Sequence, residues 1–352
     1  MKMLGCKLST KYGSKLVLTS CMVLWTSLVF LTAFFSDIYL LSFFRFLTGT
    51  ASGVVMPAIF HCLSVQLSPE ERYSAFNSVQ TFFTAGQLLA SLFAPLLSWT
   101  SCFVLFSLLG MIWVFSWFTF NKRCPDTLLD VNLLSQHHLG TDLGVPINGV
   151  HWSHFMKQPA LWAVYCSHFC SNWTLIIVIT WLPIYLRNFF GIQSVKPLLL
   201  VTPFFFRTLC DFLVAKAPNL PLTTGKLDPI SSKRLSSTLA LFLCGLFILL
   251  FGLSTTPTKS MLFLSLALSV LCLNTVSKMS SFADVSQGHA SYPFMISNSL
   301  ALVPGLFLGP LTAFLVTESG GRWFPTFILT SVVNVVGAFI YYVESRGVSE
   351  LP

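Results

Sequence analysis

Residues 16–35 read LVLTSCMVLWTSLVFLTAFF, twenty positions in a row without one charged side chain. A bilayer hydrocarbon core of about 30 Å is spanned by roughly 20 apolar residues in helical form, so this stretch is long enough to cross a membrane. The polar lead-in, Met1 to Lys15, is basic and carries no cleavage pattern, so the block reads as a retained span, not a secretory signal. Blocks of the same kind recur to the end of the chain, separated by short polar, Pro/Gly or charged stretches. Ten spans are expected, at 16–35, 39–65, 75–97, 101–120, 160–186, 196–215, 236–256, 260–280, 290–315 and 323–343.

The whole composition agrees with that first block. Of 352 residues, 54% are hydrophobic and 9% charged, with mean hydropathy +0.76, whereas a soluble globular chain carries about 25% charged residues. So few charges cannot cover a water-soluble surface of this size. In lipid only helices and closed barrels satisfy their own backbone, and the short alternating segments of a barrel are absent. The fold class is all-α and polytopic. Eight of the ten cysteines, Cys21, Cys62, Cys102, Cys166, Cys170, Cys210, Cys244 and Cys272, lie inside apolar blocks. There they act as small hydrophobes, and no disulfide framework is expected.

The longest polar interruption runs from Asn121-Lys122-Arg123 to Lys157, with four spans before it and six after. It divides the chain into an N-terminal helix bundle (1–120), a cytoplasmic central loop (121–157) and a C-terminal six-helix bundle (158–352). Short cytoplasmic loops are enriched in Lys and Arg. With both termini in the cytosol, fourteen of the twenty Lys and Arg fall inside, Lys278 among them, and four fall outside. Arg45 and Arg207 lie within spans. The net charge of +8 follows from that asymmetry and carries no implication of nucleic-acid binding.

Four segments carry a resemblance. Gly5-Cys-Lys-Leu-Ser-Thr-Lys-Tyr-Gly-Ser-Lys15 is similar to the signature loop between helices 2 and 3 of the major facilitator superfamily, with Thr10 in place of the signature Asp. Arg45-Phe-Leu-Thr-Gly-Thr-Ala-Ser-Gly-Val-Val-Met-Pro-Ala58 resembles helix 4 of that superfamily's anion-transporter family, which holds the sodium–phosphate, sialic acid, vesicular glutamate and vesicular nucleotide carriers. Ser68-Pro-Glu-Glu-Arg72 matches the turn that follows. Pro159 to Leu186, with His168-Phe-Cys-Ser-Asn-Trp173 and Trp181-Leu-Pro-Ile-Tyr185, looks like helix 7. The run through Asp284, Ser297-Asn-Ser299, Pro304-Gly305, Arg322-Trp323 and Asn334 is similar to helices 10 to 12. On this alignment the chain begins after helix 2 of a twelve-helix plan, and ten helices remain. A natural short form, a relic, or part of a longer product all fit that start.

The resemblance places Arg45 at the family's substrate-anion arginine. A guanidinium that deep in a span is costly unless paired or hydrated, and its planar fork suits carboxylate or phosphate. A structural pairing is the other reading. Ser52 and Ser171 stand where glutamate carriers show Glu and Arg, which favours the nucleotide-type branch over glutamate. His168, Asn172 and Asn298 complete the expected substrate-binding set. His168 and His61 can equally be hydrogen-bonded packing residues, and Asn172 can bond either a substrate or a neighbouring helix. Arg207 and Asp211, four apart on one helical face, are expected to be an internal structural pair. His137, His138, His151 and His154 near Cys124 match no standard zinc spacing, and no metal, cofactor or catalytic group is expected.

These features make the chain a non-enzymatic, multi-pass secondary transporter of small organic or inorganic anions. It is expected to work by alternating access in a vesicle, lysosome or plasma membrane, with Na+, H+ or Cl− as coupling or modulating ion. The alternative is a non-transporting relic of the family with a regulatory or scaffold role.

Overall fold

A computed structural model describes residues 11–67, 69–120, 153–192, 197–216, 229–284 and 291–345, together with Gly5, Leu8 and Ser9. Thr10, Cys6, Cys124 and the central loop with His137, His138 and His151 lie outside the described residues, as does the side chain of His154.

The described chain is helical: α1 (Ser14–Thr32), α2 (Ile38–Gln66), α3 (Pro69–Phe93), α4 (Trp99–Phe120), the single turn α5 (Ser153–Met156), α6 (Pro159–Phe190), α7 (Pro197–Lys216), α8 (Pro229–Leu253), α9 (Pro257–Asp284), α10 (Ser291–Ala301), α11 (Pro304–Glu318) and α12 (Phe324–Glu344). Each expected span coincides with one of these helices, except that the ninth is made of two. Among the described residues, eight segments are long and apolar enough to cross a membrane, with α10 and α11 counted together from Pro293. The helices α3 and α7 fall on the two remaining expected spans. Large apolar side chains such as Phe46, Phe115, Phe120, Leu306 and Phe339 are more than 65% exposed, which is the outward face a lipid-embedded helix requires.

Helix boundaries follow local chemistry. Asp37 caps α2 by accepting from the backbone N–H groups of Tyr39 (3.0 Å) and Leu40 (2.9 Å), two of the donors that every helix start leaves unpaired. At 32 residues, α6 is the longest described helix, and it closes on Gly191 in the left-handed conformation, φ 64°.

The break between α10 and α11 has a covalent cause. Pro304 has no N–H to give to the carbonyl of Leu300. The chain tightens instead: Leu302 donates to Ser299, Val303 to Leu300 (3.1 Å), and Gly305 to Leu302 (3.0 Å). That sequence of bonds passes over the carbonyl of Ala301.

The chain forms two compact units. In the first, α1 packs against α2 and α4, with Val17, Leu18, Val54, Val55 and Ala58 as its core. Gly5 sits against α2 so closely that a Cβ would lie 3.1 Å from the carbonyl oxygen and Cγ1 of Val54. The glycine of the signature-like loop is thus a close-approach position. The second unit contains α3 from Tyr73 onward, α5 to α9, α10 from Ile296, α11 and α12. Its core is built on α6, α8, α9 and α12, with Tyr185, Leu186, Leu241, Phe251, Leu264 and Leu268 at most 2% exposed. The helices α8 and α12 meet at Gly245, where a Cβ would stand 3.0 Å from the backbone oxygen of Ser331. Small residues let spans approach like this where lipid gives no hydrophobic drive.

Polar links supplement the packing of the second unit. Asn334, fully buried on α12, donates to Thr174 Oγ1 of α6 at 2.7 Å and to the Thr330 carbonyl at 2.8 Å. Asn274 of α9 accepts from the Ser237 hydroxyl of α8 and donates to the Ser167 carbonyl of α6.

Candidate functional site

The first candidate lies in the first unit. Arg45 is the eighth residue of α2, about 10 Å along the helix from its start at 1.5 Å per residue. Its guanidinium stands over the ring of Phe103 on α4, 4.4 Å from the centroid. An open groove runs beside it, lined by Ile38, Leu41, Ser42, Trp99 and Phe103. A cation–π contact at an exposed site contributes about 0.5–1 kcal/mol, and Arg45 itself lines the groove. Ser52, two turns further along α2, gives its hydroxyl to the Gly49 carbonyl at 3.1 Å.

The second candidate lies in the second unit, where α6 faces the helix break. His168, Ser171 and Asn172 share one face of α6 because they are three and four residues apart. His168 Nδ1 and the Ser297 hydroxyl of α10 share a hydrogen bond of 2.8 Å. Asn172 Nδ2 donates to the Ala301 carbonyl at 2.6 Å, the oxygen that the break passes over. In this structure the Asn172 amide thus bonds the neighbouring helix. Ser171 is buried, and its hydroxyl goes to the carbonyls of Ser167 (3.0 Å) and His168 (3.1 Å) on its own helix. Asn298, half-buried, follows Ser297 on α10. In the first unit, His61 of α2 bonds Ser14 of α1 at 2.9 Å, a contact between packed helices.

The third group is ionic. Arg207 Nε donates to Asp211 Oδ2 at 3.0 Å on α7, and both side chains are under 5% exposed. The guanidinium also reaches Thr275 Oγ1 of α9 at 3.5 Å. Lys278, one turn beyond Thr275, is buried on α9 and not in a cytoplasmic loop as its place at the edge of an apolar block implied. The helix runs past the hydropathy boundary to Asp284. The spacing of Asn274, Thr275, Ser277, Lys278 and Ser281 is the signal that marks this polar stripe, since these residues recur at helical intervals on α9. Among the described residues no cluster of His, Cys, Asp or Glu is arranged to hold a metal ion.

The profile of the Major Facilitator Superfamily matches residues 1–291. The chain belongs to that superfamily. Its relatives include carriers of the anion family that the helix 4 and helix 7 segments resemble. The rice protein named probable anion transporter 4, chloroplastic, is 24% identical over 363 residues, covering 98% of this chain and 60% of its own length. The mouse voltage-gated purine nucleotide uniporter SLC17A9 is 24% identical over 328 residues, covering 89% of this chain and 70% of its own. Human sialin is 23% identical over 359 residues, covering 97% and 72%. The chain spans about three fifths of the length of the rice relative. Among solved structures, the human organic anion transporter MFSD10 superposes with a TM-score of 0.69 at 16% identity, over 97% of this chain and 80% of that one. A bacterial homologue of the human lysosomal transporter Spinster, inward-facing and unoccupied, gives 0.67 at 14% identity, over 98% and 86%. These likenesses establish the major facilitator fold.

Proposed function

We propose that this membrane protein is a secondary carrier of small anions, with the nucleotide-type branch favoured over glutamate. The observation that carries the reading is Arg45, an arginine within a span that lines a groove and whose contact there, among the described residues, is a ring face and not a carboxylate. An anionic group on the groove side would supply the charge-assisted hydrogen bonds that the ring does not. The names of the rice and mouse relatives support an anion as the cargo. In this reading the bundles 1–120 and 158–352 rock around the substrate, driven by membrane potential or by a gradient of Na+, H+ or Cl−.

A second reading, a non-transporting relic or scaffold, draws on Ser52 and Ser171. Both hydroxyls are taken up by carbonyls of their own helices, where glutamate carriers present charged groups. Uptake by the purified chain in proteoliposomes under an imposed potential separates the two. The panel is labelled ATP, urate, phosphate, sialic acid and glutamate, with Arg45→Ala alongside. Uptake of one anion that disappears in the variant supports the carrier. No uptake of any of them by folded, monodisperse protein would sink it.

A further inference from the structure

We propose that Arg207 and Lys278 form a separate anion-binding site inside the second unit, one that takes a single planar, singly charged oxyanion such as a carboxylate. The site does not rest on the transport reading. It draws on three helices that the Arg45 groove does not use, α3, α7 and α9.

The donors of Arg207 are only partly spent. Nε is committed to Asp211 at 3.0 Å, and Nη2 reaches Thr275 at a long 3.5 Å. Nη1 is buried and has no hydrogen-bond partner among the described residues. The Thr275 hydroxyl donates to the Leu271 carbonyl at 3.1 Å, so it meets the guanidinium only as an acceptor. The outer edge of the fork, Nη1 with Nη2, is therefore the part least satisfied. That edge carries parallel N–H groups whose spacing fits the two oxygens of a planar oxyanion.

The charge count points the same way. Arg207 is 3%, Asp211 5% and Lys278 5% exposed, and Lys278 stands one helical turn from Thr275, the hydroxyl that Arg207 Nη2 reaches. With Lys278 protonated, two cations share one carboxylate, away from water. The other acidic residues on these helices are Glu70 and Glu71 in the first turn of α3 and Asp284 at the last residue of α9. Asp284 stands about 9 Å along the axis from Lys278. Backbone links hold the neighbourhood together: the Thr81 hydroxyl of α3 donates to the Asp211 carbonyl at 3.4 Å, and the Thr208 hydroxyl of α7 to the Thr84 carbonyl at 3.1 Å. Neither supplies negative charge. A buried, uncompensated cation is strongly unfavourable, and one monovalent anion brings the cluster to neutrality where a dianion would overshoot.

The test is thermal unfolding of the purified full chain in detergent, followed by tryptophan fluorescence. Sodium formate is titrated into sodium gluconate at constant ionic strength, gluconate being a carboxylate too bulky for a buried site. The expected result is a saturable rise in the unfolding temperature. Lys278→Met leaves the neutral Arg207–Asp211 pair, and its half-saturating formate concentration is expected to rise about tenfold, equivalent to about 1.4 kcal/mol. Asp211→Asn removes the competing carboxylate and is expected to bind formate more tightly than the wild type. Arg45→Ala is expected to leave the formate titration unchanged. A linear, non-saturating rise in the wild type would overturn the site. An unaltered half-saturation in Lys278→Met, no tightening in Asp211→Asn, or loss of the effect in Arg45→Ala would do the same.

Discussion

Asn172→Ala tests the account of the helix break. The side-chain amide meets the Ala301 carbonyl at 2.6 Å, and no backbone group replaces it: Gly305 N–H, the regular partner four residues on, is bonded to Leu302. Removing the amide therefore leaves an acceptor unsatisfied in the interior of the second unit. Hydrogen bonds between helices in membranes contribute about 0.6–1.7 kcal/mol by mutation, and an orphaned buried acceptor adds to that, up to about 3 kcal/mol. The expected destabilisation is about 1–2 kcal/mol. Reversible unfolding in mixed SDS micelles reads it. The sharper measurement is a double-mutant cycle with Pro304→Ala. That change restores an N–H at 304, lets the chain run as an unbroken helix, and frees Gly305 N–H to take the Ala301 carbonyl. In that background Asn172→Ala should cost at least about 1 kcal/mol less, because the two changes share one acceptor. If the two costs simply add, the amide is not there to serve the break, and the explanation given for Asn172 fails.

Three further outcomes are expected. Arg45→Lys keeps the charge but loses the planar fork, so under the carrier reading uptake should fall severalfold; unchanged uptake would show that only charge is read. Gly245→Ala places a methyl 3.0 Å from the Ser331 backbone oxygen, where no flexible side chain can yield. It should destabilise by about 1–3 kcal/mol, measured by the same SDS unfolding, whereas Gly309→Ala, which meets nothing within 4 Å, should be close to neutral. Asp37→Ala removes the cap of α2 and should cost about 1 kcal/mol, visible as faster hydrogen exchange at Tyr39 and Leu40 while the middle of the helix is unaffected.

The order and approximate ends of the long helices were legible in the chain because lipid makes hydropathy and length nearly sufficient. Pro304 and Pro310 gave notice of irregularity near 303–310, but proline alone does not show whether a helix kinks or parts. That outcome depends on where the freed carbonyl finds a donor, and Asn172 lies 129 residues away from it. Long-range partners of that kind leave no local trace: Asn334 finds Thr174 across 160 positions. The pairing of Arg207 with Asp211 was readable, since four residues on a helix fix the geometry in advance. Lys278 was not read as a buried cation, because a charge at the end of an apolar block looks like the start of a loop until the helix is seen to continue. At Ser171 the sequence offered a position in a family pattern, and the structure shows a hydroxyl already occupied by its own helix.

The length of α6 has a consequence for the surrounding lipid. Its 32 residues make a rod of about 48 Å, against a hydrocarbon core of about 30 Å. Even at a steep 40° inclination such a rod stands about 37 Å tall, so both tips project into the headgroup layers. The tips suit that setting: Trp162, 42% exposed, donates its indole N–H to the Met156 carbonyl at 2.7 Å, and Arg187 sits in the last turn. A bilayer that thickens by a few ångströms meets more of the same helix at each end. The rod thus has length to spare for a thicker membrane, while in a thinner one the surplus is taken up by tilt or by local thickening of the bilayer.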